Sequence, residues 1–495
     1  RNRLNKFGDS VPLPLSQVSS ERSFRSSRKD RCVTRVTGAA PLAADLLVSG
    51  ANVLTFDAKN RVLADGAIAV RGNSIVWVGS SRAARRAVRA KETLAASGLT
   101  AMPGLADTHF HTAQQFLRGK LFQLARRRKL RMPPWRHYYV PFEGMLTEND
   151  VHLSGLAAYT AMVSVGTTCF LESGGPHPDA MGAAAEEVGI RGVLAHSTID
   201  MDDAMPASMR TTRREALRRN EALVKRWKKH PRIKAWPALR QIMVCSEELQ
   251  RDMAALAREH GVRLHTHLAE GTYEVDFALA RWGVRPVEYL EQLGVFGPHL
   301  HTAHAILLSD EERDLYVKRD VSVAHCAFNN YHIGHPRMWE MWRRGVRVGL
   351  GTDGAGAWGP LDLFQVAHAA RIGQQLVAGT PNHFRGVVAS EDLIEIAVKG
   401  GARVADPSGK LGAIAPGMRA DFVLLETGEP DQFPVYDPLF TASSNSTGRS
   451  VRTVVIDGRV VMKDRVFQTI DVERLRARLA TDHPKLMARF DAEVA

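Results

Sequence analysis

Residues 246–270 read SEELQRDMAALAREHGVRLHTHLAE, and this stretch decides the fold. Its first part spells one helix, Ser246–His260. Ser246 suits the N-cap, because its hydroxyl can accept a hydrogen bond from a backbone N–H of the first turn. Glu247 and Glu248 sit where the helix dipole favours negative charge, and Gly261 supplies the left-handed residue that ends a helix. Leu249, Met253 and Leu256 recur at helical spacing. The pattern then changes to a strand, Arg263–His267. A helix that runs straight into a strand is half of a parallel βα repeat.

Working outward, Thr167–Leu171, Val321–His325 and Val346–Thr352 are further strand-like runs separated by helix-like stretches. Such alternation across 104–408 predicts an α/β fold, a (β/α)8 TIM barrel. A doubly wound sheet is the alternative, but no G-x-G-x-x-G follows a strand to favour it. The flanks have another texture. Ala44–Leu54 and Gly66–Val78, the latter with a turn at Gly72-Asn73, lie in 44–103. Ala420–Leu425, Val451–Ile456 and Val460–Met462 lie in 409–465, and the Asp457-Gly458 pair between two Val/Ile runs is a hairpin signal. The two flanks are expected to pair into one small β-sandwich. Residues 466–495 are expected to form a helical tail, and the basic, Ser- and Arg-rich residues 1–43 a disordered extension.

Composition narrows the function classes. With 495 residues, 44% hydrophobic and 24% charged, the chain can bury a core of more than one domain. It contains no apolar run of about 18 residues, so no membrane-spanning helix is expected. Cys32, Cys169, Cys245 and Cys326 are far apart and form no C-x-x-C pair, which argues for idle thiols in a reducing compartment. The net charge of +13 raises nucleic-acid binding. No aromatic-basic motif or zinc finger supports it. The expectation is a cytoplasmic homo-oligomer acting on a small molecule, with no nucleic-acid or membrane partner.

The chemistry lies where strands end. In PGLADTHFH (103–111), His109 and His111 are two apart, so a strand turns both to one face. LHTHLAE (264–270) ends another strand, and His265 and His267 again share a face; parity alone does not choose between them. LHTAH (300–304) ends a third, where His301 and His304 face opposite ways. VGLGTDG (348–354) stops at Asp353, at the end of a barrel strand where such folds keep their active sites. Imidazoles and one carboxylate arriving on separate strand ends suit one divalent cation, Zn²⁺ first and Fe²⁺ second. Glu270 lies just past its strand, placed to take a proton from an attacking water. His304 can orient that water.

These segments together resemble the amidohydrolase superfamily, in particular its triazine hydrolase, S-adenosylhomocysteine deaminase and guanine deaminase branch. The resemblance runs over about 45–465 and includes GAIAPGMRADFVLL (412–425) and VRTVVIDGRVV (451–461). It implies that His109, His111, His267 and Asp353 are the metal ligands, the H-x-x-E spacing selecting His267 over His265. It implies that Glu270 is the proton shuttle and that His304 positions the hydroxide. Arg240 resembles a substrate-contacting arginine of guanine deaminases. Two segments depart from the pattern, His325-Cys326-Ala327-Phe328-Asn329-Asn330 and Ala355-Gly356-Ala357-Trp358-Gly359. Both are expected to border the substrate.

The expected reaction is hydrolytic deamination, or dechlorination, of an electron-poor N-heterocycle, with Glu270, His304 and Asp353 at the reacting atoms. Hydrolysis of a linear or cyclic amide would use the same site. A non-catalytic scaffold would tolerate losing ligands, and every expected ligand is present. Glu172, after the strand Thr167–Leu171, is the residue available to bridge a second metal. Arg126–Arg131, a basic run after the first barrel strand, reads as a solvated surface or as an attraction for an anionic substrate.

Overall fold

The computed structural model describes residues 40–357, 359–382 and 386–494. Most of the extension expected at 1–43 lies outside the described residues, and the first strand already begins at Leu42. Five strands come first: Leu42–Leu54 (β1), Val62–Arg71 (β2), Ser74–Ser80 (β3), Val88–Ala95 (β4) and Leu99–Pro103 (β5). Gly72 has φ 56° and lets β2 turn back into β3.

The βα unit then repeats. Eight strands follow: Leu105–Phe110 (β6), Thr167–Glu172 (β7), Arg191–Leu194 (β8), Ile233–Ala235 (β9), Leu264–Leu268 (β10), Leu300–His304 (β11), Ser322–His325 (β12) and Val348–Leu350 (β13). They pair in parallel as β6-β7-β8-β9 and β10-β11-β12-β13. A parallel bridge, Ala238 to His265, joins the residues after β9 to β10. At the other seam, Thr108 Oγ1 donates to the Leu350 carbonyl (2.9 Å) and Asp353 N–H to the His109 carbonyl (3.0 Å). This is a TIM-barrel-type arrangement.

The expected helix is found at Glu247–His260, with Ser246 Oγ accepting from Leu249 N–H and Gly261 left-handed at its end. Helices pack tightly on the strands they follow. A Cβ on Gly400 would lie 1.9 Å from the Val348 carbonyl, so only glycine lets the helical turn Ile396–Gly400 approach β13.

After the repeats come Phe422–Glu426 (β14), Val451–Ile456 (β15), Arg459–Lys463 (β16) and Val466–Phe467 (β17). The hairpin expected at Asp457-Gly458 joins β15 to β16, both residues at positive φ. β14 pairs antiparallel with β5, so the segments on either side of the repeats share one nine-stranded sheet, β17-β16-β15-β14-β5-β1-β2-β3, with β4 also on β1. Leu46, Val48, Ile68, Val70, Ile75, Phe422, Leu424 and Val455 form its own buried core. The helix Val472–Val494 closes the described chain. No helix among the described residues is long and apolar enough to cross a membrane.

Candidate active site

The strand ends β6, β10, β11 and β13 deliver His109, His111, His267, His304 and Asp353 to one place, all buried. Ligand atoms of His109, His111 and His267 lie within 4.8 Å of one another, and so do those of His109, His304 and Asp353. His304 (φ 77°) and Asp353 (φ 63°) are left-handed. Asp107 braces the seam below. Its carboxylate accepts from Thr352 Oγ1 (2.6 Å), Thr352 N (3.1 Å) and His109 N (3.2 Å).

Each imidazole is fixed in one tautomer by its partner. His267 Nδ1 lies 2.8 Å from the Arg240 carbonyl, which can only accept, so the proton is on Nδ1. Ser173 Oγ donates to the Phe110 carbonyl and therefore accepts from His111 Nδ1 (2.8 Å). His265 Nδ1 donates to the His301 carbonyl (3.0 Å), which leaves its Nε2 to accept from His109 Nδ1 (3.0 Å). In all three ligand candidates the lone pair is left on Nε2, facing the common centre. Burial holds all three well below the usual imidazole range, so they are neutral donors.

The donor atoms then stand as they would around a cation. His267 Nε2 and His111 Nε2 are 3.3 Å apart, and Asp353 Oδ1 is 3.1 Å from His109 Nε2 and 3.5 Å from His111 Nε2. Tetrahedral ligands at Zn–N lengths stand about 3.3 Å apart. His109 Nε2 is buried with no hydrogen-bond partner. Facing lone pairs repel without a positive charge between them. Burial also pushes the Asp353 carboxyl up to about 7. The residues fit a single divalent cation.

Glu270 stands beside this centre. Its Oε2 accepts from Tyr273 OH (2.7 Å) and Gln241 Nε2 (3.0 Å), and its Oε1 faces His304 Nε2 at 3.9 Å. His304 Nδ1 donates to Asn330 Oδ1 (3.0 Å), and Asn330 Nδ2 donates to His325 Nδ1 (3.0 Å). Arg240 is buried, with Nη1 3.2 Å from both oxygens of the buried Glu143. Gln114 Nε2 also donates to Glu143, at 2.6 Å.

The other expectations sort themselves by contact. His265 orients His109, and His301 donates to the Thr108 carbonyl (2.9 Å) and pairs with Ser322 Oγ (3.0 Å). Trp236 stacks on His265 with ring centroids 5.9 Å apart. Glu172 is already engaged by Thr112 N and Oγ1 and by Gly174 N, so both its oxygens hold loops. The Arg126–Arg131 run is largely exposed. The His325–Asn330 segment does reach the site, through Asn330 on His304. In the turn after Asp353, Gly356 accepts from Tyr139 OH (3.1 Å); Trp358 lies outside the described residues. Sequence reasoning missed Tyr273, Gln241, Asn330, Ser173 and Glu143. Only Asn330 carried a signal, as part of a segment flagged for the pocket.

Residues 100–461 match the amidohydrolase family. The chain belongs to that family. Among relatives of this amidohydrolase, the 5-methylthioadenosine/S-adenosylhomocysteine deaminase of Syntrophobacter fumaroxidans is 31% identical over 439 residues, 88% of this chain and 97% of that protein. Among solved structures, an adenosine deaminase from Xanthomonas campestris with bound zinc aligns with a TM-score of 0.83 at 25% identity, over 92% of this chain and all of that one. The triazine hydrolase of Arthrobacter aurescens shares the fold, with a TM-score of 0.76 at 21% identity, over 89% of this chain and 99% of that one. The branch resemblance drawn from the motifs is found in these relatives.

Proposed function

We propose that this amidohydrolase deaminates a purine nucleoside by hydrolysis, with 5′-modified adenosines such as 5-methylthioadenosine and S-adenosylhomocysteine as its substrate class. One observation carries the reading: three imidazoles with inward lone pairs, a carboxylate and a poised glutamate meet in a chain 31% identical to such a deaminase over nearly its whole length.

In this reading His109, His111, His267 and Asp353 hold one cation, zinc by the donor set, with iron(II) as the alternative. Bound there, the cation supplies the Lewis acidity that makes water a nucleophile near neutral pH. Glu270 Oε1 takes one proton of the attacking water and passes it to the ring nitrogen; it then takes the proton of the hydroxyl added to the ring carbon and gives it to the amine, so that the exocyclic C–N bond breaks and leaves a carbonyl and ammonia. His304, tethered by Asn330, presents Nε2 to the attacking oxygen. Asp353 orients the same oxygen, and Arg240 contacts the substrate beside Glu143. Preorganised groups of this kind act without reorganising during the reaction.

The reading includes a closed (β/α)8 barrel over 104–408 and a β-sandwich from 44–103 and 409–465, supported by the seam hydrogen bonds and the β5–β14 pairing. It includes a cytoplasmic homo-oligomer, which sedimentation of the purified protein checks.

The test is a substrate panel on zinc-loaded protein: 5-methylthioadenosine, S-adenosylhomocysteine, adenosine, a chlorotriazine and a cyclic amide. Ammonia release from the nucleosides is expected, and Glu270→Gln should lower kcat about 10²- to 10⁴-fold with zinc retained. Turnover confined to the amide would replace the reading with amide hydrolysis, and chloride release alone with dechlorination.

A further inference from the structure

We propose that Tyr273 and Gln241 form a two-donor clamp that positions Glu270, holding one carboxylate oxygen so that the other is committed to the proton. The inference rests on the proton-shuttle reading of Glu270 and goes beyond it, because neither residue is part of the ligand set or the H-x-x-E motif.

The geometry is asymmetric. Oε2 of Glu270 accepts both Tyr273 OH (2.7 Å) and Gln241 Nε2 (3.0 Å), and the two donors come from different elements. Tyr273 stands in the first turn of the helix Thr272–Trp282, while Gln241 precedes the short helix Ile242–Val244. Oε1 is turned to His304 Nε2 at 3.9 Å. The main chain is fixed as well: Glu270 N–H donates to the buried Glu274 (2.9 Å). A flexible glutamate samples several rotamers; two donors and a pinned backbone select one.

Tyr273 reaches back over its own chain to do this, and Gly271 is the reason it can. A Cβ at Gly271 would lie 2.5 Å from Tyr273 Cε1 and 2.9 Å from Cδ1, so the ring lies on a bare Cα. Burial and the neighbouring Glu270 push the Tyr273 hydroxyl well above its usual range. It therefore remains a donor at any working pH. Gln241 is buried at 1% exposure, and its amide nitrogen must face the carboxylate for the 3.0 Å contact to bond. Tyr273 and Gln241 are positioning residues; the reacting contact is left to Oε1.

The test compares zinc-loaded wild type, Tyr273→Phe, Gly271→Ala, Gln241→Leu, Glu270→Gln and the Tyr273→Phe/Glu270→Gln double variant on 5-methylthioadenosine. Tyr273→Phe and Gly271→Ala should each lower kcat about 10- to 100-fold, the cost of a slightly misplaced group, with KM within about threefold. Zinc content and melting temperature should match wild type. Gln241→Leu should act in the same direction. In the Glu270→Gln background, Tyr273→Phe should cause no further loss, because its effect runs through the carboxylate. Wild-type kcat in Tyr273→Phe, or an equal loss in both backgrounds, overturns the clamp. Full activity in Glu270→Gln, or a wild type inert on every panel substrate, removes the shuttle reading and the clamp with it. An inactive Glu270→Gln beside a fully active Tyr273→Phe sinks the clamp alone.

Discussion

Glu274 shows how a single buried acid couples the site to pH. It accepts the Glu270 amide through Oε2, and burial pushes its carboxyl up to about 8. An unfolded glutamate titrates near its ordinary value, so between about 4.5 and 8 the folded state holds a proton the unfolded state has released. This contribution to stability is therefore full below 4.5 and lost as pH rises through 8. Glu274→Gln, which keeps an acceptor for the amide without the charge, should flatten the pH dependence in that window. Urea midpoints from pH 4.5 to 9 check it; an unchanged slope would show that Glu274 is charged in the fold. At this scale the meeting of the histidines was readable in the sequence, since strand parity pairs His109 with His111. The tautomers were not. They depend on the Arg240 carbonyl, Ser173 and His265, which meet their rings through space from other strands and loops. Tyr273 reads as an ordinary residue on a helix until the bare Gly271 backbone is seen beneath its ring.

Elements were the most legible part. The helix Glu247–His260 carries its cap, its charges and its stop in the chain itself, and the Asp457-Gly458 hairpin names its own turn. What holds one element to another was hidden. Arg191, at the start of β8, donates Nε and Nη2 to Asp421 (2.7 and 3.0 Å) and Nη2 to Asp457 (2.9 Å), tying the parallel repeats to the terminal sheet. Arg191 and Asp421 are 8% and 6% exposed, so little water is available to replace either partner. Arg191→Met should destabilise the protein by about 3–5 kcal/mol, because it strands a buried carboxylate. Equilibrium urea unfolding measures this, and a loss below about 1 kcal/mol would mean the pair is solvated in solution. Nothing in the sequence marks Arg191 among 66 basic residues, because its partners are more than two hundred positions away.

For the molecule as a whole, a cation shared by the ends of β6, β10 and β13 would act as a stabilising ligand of the folded state. Removing it with a chelator should lower the melting temperature by several degrees, and zinc should restore it, since a ligand at a thousand times its Kd adds about 4 kcal/mol. A melting temperature indifferent to chelation would contradict a shared cation. The overall architecture was legible because the alternation of βα units is written along the chain. The two similar textures predicted that the flanking segments would pair, but not that β5 and β14 would be the strands that meet.

That pairing imposes a schedule on the newborn chain. Leu99–Pro103 leaves the ribosome long before Phe422–Glu426 exists to cover its edge. At about 5–20 residues per second the wait is on the order of half a minute. During it an apolar edge stands open to any passing strand, so a translation product that stops short of β14 keeps exposed an edge that the full chain covers.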